Sequence, residues 1–220
     1  MMSMRSDEQT DDGVWPRQSG EMTMSLPRAP PTFSPEDYLS LERVSEIRHE
    51  YLDGFVYAMA GESPNHSTIC FNLAGSLHFT LKSTPRRGYS PKMKVRTKDE
   101  SLYAYPDLAV VCGEPVYHDQ HGDVLVNPTV VFEVLSPSTE AYDRGEKSLR
   151  YRNEIESLRD FVLVAQDRPR VEHFARQPDG TWSRAEVGGL DGVLSLPSID
   201  CRIRLADVYD CIAFTDQSTR

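Results

Sequence analysis

The sequence lacks the long apolar segments that membrane proteins and secreted precursors carry. It contains no uninterrupted run of about 18 apolar residues, the length that a membrane-spanning helix needs. Residues 1–20 are polar and acidic and have no apolar core of the kind found in signal peptides. We therefore expect a cytoplasmic protein that does not associate with a membrane.

Cysteine is scarce and is not arranged in a metal-binding or redox motif. The cysteines at positions 70, 112, 201 and 211 form no CxxC pair and have no zinc-finger spacing. Three of the four lie in apolar surroundings. This setting predicts reduced cysteines packed in the core of a cytosolic protein.

Positive charge is also in short supply. Lysine and arginine number 24 against 34 acidic residues, so the chain of 220 residues carries a net charge of −10. This balance argues against a protein that coats nucleic acid through non-specific charge, although it permits a local basic surface. The sequence has no P-loop and no Gly-x-Ser-x-Gly elbow, so ATP-driven work and serine hydrolase chemistry have no support.

The chain is expected to hold one folded domain between two tails. Residues 1–31 are polar and aperiodic and end in a proline-rich stretch, which predicts a disordered N-terminal tail. Residues 32–212 are predicted to form the domain, which is long enough to bury about 70% of its unfolded surface. Residues 213–220 are expected to form a short C-terminal tail.

Local signals predict two helices and a turn at the start of the domain. Ser34 is an expected N-cap, because a proline and two acidic residues follow it. Asp53-Gly54 predicts a turn that leads into a strand. A second helix is expected from about residue 63, because every fourth residue is apolar on one face: Ile69, Leu73, Leu77, Leu81.

The rest of the chain predicts an α/β fold with a mixed β-sheet flanked by helices. Apolar runs predict strands at residues 93–97, 107–112, 130–135, 161–165, 171–176, 181–187 and 192–196. A charged helix is expected from about residue 143 to 155, and a terminal helix from 205 to 212. This order of elements is typical of a sheet covered by helices.

Two carboxylates lie in strands that are expected to be neighbours. Asp107 follows Pro106 at the start of one strand, and Glu133 interrupts the otherwise apolar run of another. A carboxylate inside a buried strand is costly unless it is paired, hydrogen-bonded or metal-bound. Glu133 could form a structural ion pair with an arginine, or it could bind a divalent cation together with Asp107. Oxygen ligands alone favour Mg²⁺ or Mn²⁺ over zinc.

Five motifs in order resemble the Uma family of endonucleases, within the PD-(D/E)XK restriction-endonuclease-like superfamily. The resemblance covers roughly residues 32–212 and implies a restriction-endonuclease-like fold. It also implies cleavage of phosphodiester bonds in nucleic acid, with DNA as the expected substrate, Mg²⁺ or Mn²⁺ as cofactor and a homodimer as assembly. The motifs are Glu50-Tyr51-Leu52-Asp53-Gly54, Pro64-Asn65-His66, Tyr105-Pro106-Asp107, Glu133-Val134-Leu135-Ser136-Pro137-Ser138-Thr139 and Asp143-Arg144-Gly145-Glu146-Lys147.

The resemblance assigns roles to specific residues. It implies that Glu50, Asp107 and Glu133 bind the metal, with Glu50 matching a glutamate that related nucleases supply from their first helix. His66, at the start of the second helix, is a candidate for contacting a phosphate or holding a water. Each of these residues also has an ordinary reading as a surface, capping or ion-pairing side chain.

One position departs from the superfamily pattern. The lysine expected two residues after Glu133 is replaced by Leu135, so another residue must supply its charge. Lys147, on the following helix, is the first candidate, and Lys94 is the second. Tyr151, four residues after Lys147, is either a candidate for orienting it or an ordinary core side chain. The alternative for Lys147 is a lysine in contact with solvent.

The sequence therefore leaves three functions open. The first is a metal-dependent endonuclease that uses Glu50, His66, Asp107, Glu133 and Lys147. The second is a catalytically inactive protein that binds nucleic acid or a protein, and the third is a subunit that only dimerises. A basic stretch, residues 82–98, is a candidate phosphate-binding surface or an ordinary solvated face. The position of Lys147 discriminates between the first two functions.

Overall fold

The computed structural model describes residues 32–59 and 61–214. The predicted N-terminal tail, residues 1–31, lies outside this part, as do residues 215–220 of the predicted C-terminal tail. Within the described residues, no helix is both long enough and apolar enough to cross a membrane.

Two helices begin where the sequence predicts, because each has a serine cap. Helix α1 (Pro35–Glu42) starts after Ser34, whose hydroxyl accepts a hydrogen bond from the Asp37 amide at 3.1 Å. The Asp37 carboxylate in turn accepts from the Ser34 amide at 3.3 Å, which completes a capping box. Helix α2 (Pro64–Leu81) starts after Ser63, whose hydroxyl accepts from the His66 amide at 3.1 Å.

The larger sheet has six strands and is mixed. Its strand order is β11-β10-β9-β8-β6-β3, and β8 and β9 are parallel whereas the other neighbours are antiparallel. The strands in chain order are β3 (Arg86–Tyr89), β6 (Leu108–Cys112), β8 (Val130–Val134), β9 (Asp160–Val164), β10 (Arg170–Arg176) and β11 (Trp182–Gly188).

A second sheet has five strands in the order β2-β1-β5-β4-β7, with β4 and β7 parallel. Its strands are β1 (His49–Leu52), β2 (Phe55–Ala58), β4 (Lys94–Arg96), β5 (Leu102–Ala104) and β7 (Val124–Leu125). Asp53 and Gly54 form the turn between β1 and β2, both with positive φ, as the sequence predicts. A two-stranded sheet pairs β12 (Val193–Leu196) with β13 (Cys201–Arg204).

Helices cover both faces of the six-stranded sheet. The apolar face of α2 packs on one side, where Leu73 and Leu77 join a core that includes Phe132 of β8. On the other side, Tyr151 packs with Leu135 and Phe161. The two faces confirm the predicted α/β architecture, with a mixed sheet flanked by helices.

The helical segment after β8 is less regular than predicted. Instead of one α-helix from residue 143, it consists of α3 (Glu140–Tyr142), a π-helical turn (Asp143–Lys147) and α4 (Ser148–Glu154). The predicted terminal helix over 205–212 is also too long. Helix α5 (Leu205–Val208) gives way to a turn in which Cys211 adopts a left-handed φ of 62°.

The prediction of three core cysteines is wrong. All four cysteines are free, but only Cys201 is buried. Cys70 is partly buried, whereas Cys112 ends strand β6 at the surface and Cys211 lies in the exposed turn after α5. Apolar neighbours in sequence did not indicate burial here because Cys112 is the last residue of its strand and Cys211 lies in the turn beyond its helix.

The fold predicts a large difference between two leucine truncations. Leu73 on α2 is fully buried, whereas Leu149 on α4 is 50% exposed. We expect Leu73→Ala to lower the free energy of unfolding by about 2–5 kcal/mol, because it leaves a cavity in the core. The matched control Leu149→Ala should cost about 1 kcal/mol or less. Urea denaturation of both variants measures the difference, and equal losses would contradict this description of the core.

Candidate active site

The pairing of two central strands brings Asp107 and Glu133 together. Leu108 of β6 faces Phe132 of β8 in an antiparallel register, so one step further along the same register lie Asp107 and Glu133. The Val134 amide donates a 2.6 Å hydrogen bond to Oδ2 of Asp107, which fixes this carboxylate at the strand end. The two carboxylates therefore occupy neighbouring positions, as the sequence predicts.

Glu50 reaches the same region from the five-stranded sheet. It lies in β1 rather than in a helix, unlike the first-helix glutamate of related nucleases that the resemblance suggested. Its Oε1 accepts a 3.2 Å hydrogen bond from the Tyr105 amide, two residues before Asp107. This bond joins Glu50 to the Tyr105-Pro106-Asp107 segment.

Lys147 is buried among three carboxylates. Its side chain is 5% exposed, and its Nζ donates a 2.9 Å hydrogen bond to Oε1 of Glu50. The same Nζ lies 3.1 Å from Oε1 of Glu133 and 3.5 Å from Oδ1 of Asp143. Lys147 therefore points into the site and away from solvent. We call Glu50, Asp107, Glu133 and Asp143 the acidic cluster.

Burial and charge act together on the protonation of this cluster. Burial raises the pKa of Glu133 well above its ordinary value, and the charges of Asp143, Asp107 and Glu50 raise it further, against the opposing effect of Lys147. Burial lowers the pKa of Lys147, but the surrounding carboxylates outweigh this effect, so its pKa is raised and the side chain stays cationic. The cluster thus holds one permanent positive charge within an excess of acidic groups.

His66 lies on the other side of Asp107. Its Nε2 is 3.4 Å from Oδ2 of Asp107, and its Nδ1 is 3.8 Å from a carboxylate oxygen of Glu62. Burial lowers the pKa of His66, but Asp107 and then Glu62 outweigh this effect, so the pKa is raised. Cys70, one helical turn later, places its Sγ 3.6 Å from Nδ1 of His66.

The chemistry of the donor set suits a hard divalent cation. The acidic cluster has four carboxylates, three of which contact one lysine, and buried acidic groups in such excess need a further cation or protons to compensate them. Oε1 of Glu133 is buried and, within the described residues, accepts no hydrogen bond, because its 3.1 Å approach to Lys147 is a charge contact without hydrogen-bond geometry. Carboxylate oxygens of this kind are the ligands that Mg²⁺ and Mn²⁺ prefer.

Two other predicted participants are arranged differently. Tyr151 is fully buried and packs against Phe161, with ring centroids 5.8 Å apart. Its hydroxyl has no hydrogen-bond partner among the described residues, so no hydrogen bond from Tyr151 orients Lys147. Lys94, the second candidate for the missing lysine, is buried elsewhere: its Nζ is 2.9 Å from Oδ2 of Asp123 and donates to the Tyr105 hydroxyl.

The basic stretch 82–98 is largely neutralised by carboxylates. Besides Lys94, three of its members form ion pairs: Arg87 with Glu114, Arg96 with Glu100, and Lys98 with Glu156. In the described part of the chain, three members form no ion pair: Lys82, Arg86, Lys92. Only this smaller group is available as a positive surface.

Two residues in contact with the site were not singled out from the sequence. Asp143 belongs to a quoted motif, and its spacing of four residues from Lys147 was the signal for an interaction. Cys70 follows His66 by the same spacing on α2. The significance of this second pair depends on the position of Asp107, which only the folded sheet reveals.

Comparison with known proteins gives one family. The family model "Uma2: Putative restriction endonuclease" matches residues 35–206. Two curated relatives come from Synechocystis sp. (strain ATCC 27184 / PCC 6803 / Kazusa). The protein slr1290 is 35% identical over 195 residues, covering 88% of this chain and 100% of its own length. The protein sll1609 is 30% identical over 153 residues, covering 70% of this chain and 86% of its own length.

A solved structure shares the fold. It is described as a "putative nuclease belonging to DUF820" from Anabaena variabilis ATCC 29413. It superposes with a TM-score of 0.67 at 16% sequence identity, over 80% of this chain and 97% of the other. At this identity the likeness concerns the fold, and it confirms the fold class that the sequence predicted.

The ion pairs of Asp123 with Arg43 and Lys94 predict acid-sensitive stability outside the acidic cluster. Burial raises the pKa of Asp123, but hydrogen bonds from Arg43 and Lys94 outweigh this effect and hold the pKa well below its ordinary value. Ionised Asp123 therefore stabilises the fold above its unfolded pKa of about 3.9, and this contribution shrinks as the pH falls below that value. Asp123→Asn should cost about 1–3 kcal/mol near neutral pH, because Lys94 loses its partner.

Urea unfolding at about pH 7 and about pH 3 measures this effect, and the gap between parent and variant should narrow at the lower pH. Asp119→Asn is the matched control. Asp119 contacts Arg43 at 2.7 Å but not Lys94, so its loss should cost about 1 kcal/mol or less. If the difference in unfolding free energy between the parent and Asp123→Asn did not change with pH, ionised Asp123 would not be the source of the stabilisation.

Proposed function

The chain belongs to the Uma2 family, and from this premise we propose that it is a metal-dependent endonuclease that hydrolyses phosphodiester bonds in DNA. The observation that carries the proposal is the position of Lys147. Its ammonium group lies 2.9 Å from Glu50 and 3.1 Å from Glu133, inside the acidic cluster. A lysine directed at solvent would have favoured an inactive binding protein instead.

Glu50, Asp107 and Glu133 are the residues that would hold Mg²⁺ or Mn²⁺. When bound, the ion would neutralise charge on the scissile phosphate and lower the pKa of a water. The protein prepares the ligands in advance: the Val134 amide fixes Asp107, and the Tyr105 amide fixes Glu50. Asp143 lies 3.5 Å from Lys147 and helps to keep the ammonium group in place.

Lys147 and His66 supply the positive charge that the reaction needs. The raised pKa of Lys147 keeps it cationic, so it can stabilise the negative charge that develops on the phosphoryl oxygens. His66, held 3.4 Å from Asp107 at the start of α2, can contact a phosphate or hold a water. By analogy with related nucleases, cleavage by such an arrangement would leave a 5′-phosphate.

The proposed assembly is a homodimer, because two copies related by a two-fold axis would present one such centre to each strand of a duplex. Phe71 and Phe79 are 79% and 87% exposed on α2, on either side of Gly75. A two-fold axis near Gly75 would bring Phe71 of one copy beside Phe79 of the other. Each buried ring contributes roughly 150–250 Å², a substantial part of the roughly 800 Å² that each partner of a standard interface buries.

Metal binding can be tested directly by calorimetry with Mn²⁺. The parent should bind, and Glu133→Gln should weaken binding by at least about 10-fold, the lower end of what losing even an outer partner of a metal ligand costs. Glu114→Gln, an 89% exposed carboxylate paired with Arg87, is the matched control and should bind as the parent does. Unchanged binding by Glu133→Gln would remove Glu133 from the proposed metal site.

Activity tests the role of Lys147. On DNA with Mg²⁺, Lys147→Met should cut about 10²–10³-fold more slowly, the loss typical of removing one electrostatic donor. Its Mn²⁺ binding should persist, because the carboxylate ligands remain. Lys98→Met, which removes a 71% exposed lysine paired with Glu156, is the control and should cut at the parent rate.

Urea unfolding of Lys147→Met shows whether a slow variant is folded. If it is not folded, Lys147→Arg is measured in its place, because it keeps the positive charge. Lys147→Met that is folded and cuts as fast as the parent would refute the proposed role. If the parent binds Mn²⁺ but cuts no DNA, the result would favour a catalytically inactive binding protein over an endonuclease.

A further inference from the structure

We propose that His66, Cys70 and Asp107 form a second metal site, selective for a softer divalent cation such as Zn²⁺. The site shares Asp107 with the acidic cluster but takes its other two ligands from helix α2. The inference rests on the geometry of these three residues, and it stands whether or not the chain cuts DNA.

Three different ligand atoms converge at this point. One nitrogen of His66, Sγ of Cys70 and one carboxylate oxygen of Asp107 all lie within 4.8 Å of one another. The imidazole lies between the other two ligands: Sγ of Cys70 is 3.6 Å from Nδ1 of His66, and Oδ2 of Asp107 is 3.4 Å from Nε2. One of these two nitrogens would bind the cation, whose bonds of about 2.0–2.3 Å need ligand atoms that lie close together in this way.

The fold holds two of the ligands in place before any metal arrives. The Ser63 hydroxyl caps the His66 amide, so the first turn of an 18-residue helix fixes the backbone that carries the imidazole. Spacing of four residues places Cys70 on the same face one turn later. Asp107 is anchored independently by the Val134 amide. The site would therefore be completed by side chains that rotate on a fixed backbone.

The chemistry of the ligands separates this site from the carboxylates beyond it. Sulfur and imidazole ligands suit Zn²⁺, whereas Mg²⁺ takes oxygen ligands almost exclusively. As the metal–sulfur bond forms, the Cys70 thiol releases its proton to solvent and the thiolate becomes the ligand. Three protein ligands leave a fourth position open, and the Glu62 carboxylate lies 3.8 Å from His66 beside it.

Sharing Asp107 has a functional consequence. An ion bound by His66, Cys70 and Asp107 occupies the carboxylate that the acidic cluster would use for Mg²⁺ or Mn²⁺. The two sites should therefore compete, and Zn²⁺ should weaken the binding of Mn²⁺. This competition would depend on Cys70, because it is the residue that supplies a sulfur ligand, which Asp107 and His66 cannot.

Cobalt is the probe for the test, because a Co²⁺–thiolate bond produces a charge-transfer absorption band that oxygen and nitrogen ligands do not. The full-length parent, under reducing conditions, should develop this band on titration with Co²⁺ and lose it when Zn²⁺ is added. Cys70→Ser should show no band, and the double variant Cys112→Ser/Cys211→Ser should show the parent band, since it changes only the two exposed cysteines. His66→Gln should weaken Co²⁺ binding at least about 10-fold.

A band absent from the parent, or still present in Cys70→Ser, would overturn the site. Mn²⁺ calorimetry in the presence of Zn²⁺ then tests the sharing of Asp107: the apparent Mn²⁺ affinity should fall at least about 10-fold in the parent and less in Cys70→Ser. An equal fall in both proteins would show that Zn²⁺ competes without Cys70. Failure of the nuclease proposal appears instead as absent DNA cleavage, which leaves the cobalt result unaffected.

Discussion

The burial of one lysine among carboxylates is the constraint on which this site depends. An ammonium group that is only 5% exposed is costly unless its partners surround it, and Glu50, Glu133 and Asp143 do so from three separate elements. Strand β1 must therefore sit beside the end of β8, and the helical segment must cover both. The elements around the site are also tied together by further polar contacts, among them the bond from the Tyr105 amide to Glu50.

The π-helical turn shows how the chain meets this constraint. Such turns are rare and are frequently found at functional sites, and here the turn carries both Asp143 and Lys147 into the cluster. Its outer side is anchored as well: Arg144 contacts Glu172 of β10, a carboxylate that is also held by Arg170 and Arg184. The inward and outward contacts together fix the helical segment against the larger sheet, so the position of Lys147 is set by the fold rather than by its own side-chain preference.

Features that depend on a few neighbouring residues could be predicted from the sequence, whereas contacts between residues far apart in the chain could not. Ser34 and Ser63 predict the starts of their helices because they can cap them, and Asp53-Gly54 predicts a turn. The apolar run around Glu133 predicts a buried strand. Each of these signals lies within a few residues of the sequence. Strands β3, β5 and β13 are short and have no such signal. The partners of Lys94, the hydroxyl of Tyr151 and the approach of Cys70 to Asp107 depend on residues far apart in sequence, which no local pattern encodes.

The position of Lys147 also explains how the site can tolerate Leu135. Alternate residues of a strand face the same side, so Glu133 and position 135 share one face of β8. Leu135 packs on that face with Tyr151 of α4, which lies one turn beyond Lys147. The helical segment that covers this face therefore places the ammonium group of Lys147 next to Glu133. A lysine at position 135 would have approached Glu133 from the same strand instead. The proposed function needs a positive charge at the carboxylates, and in this fold the helical segment supplies one.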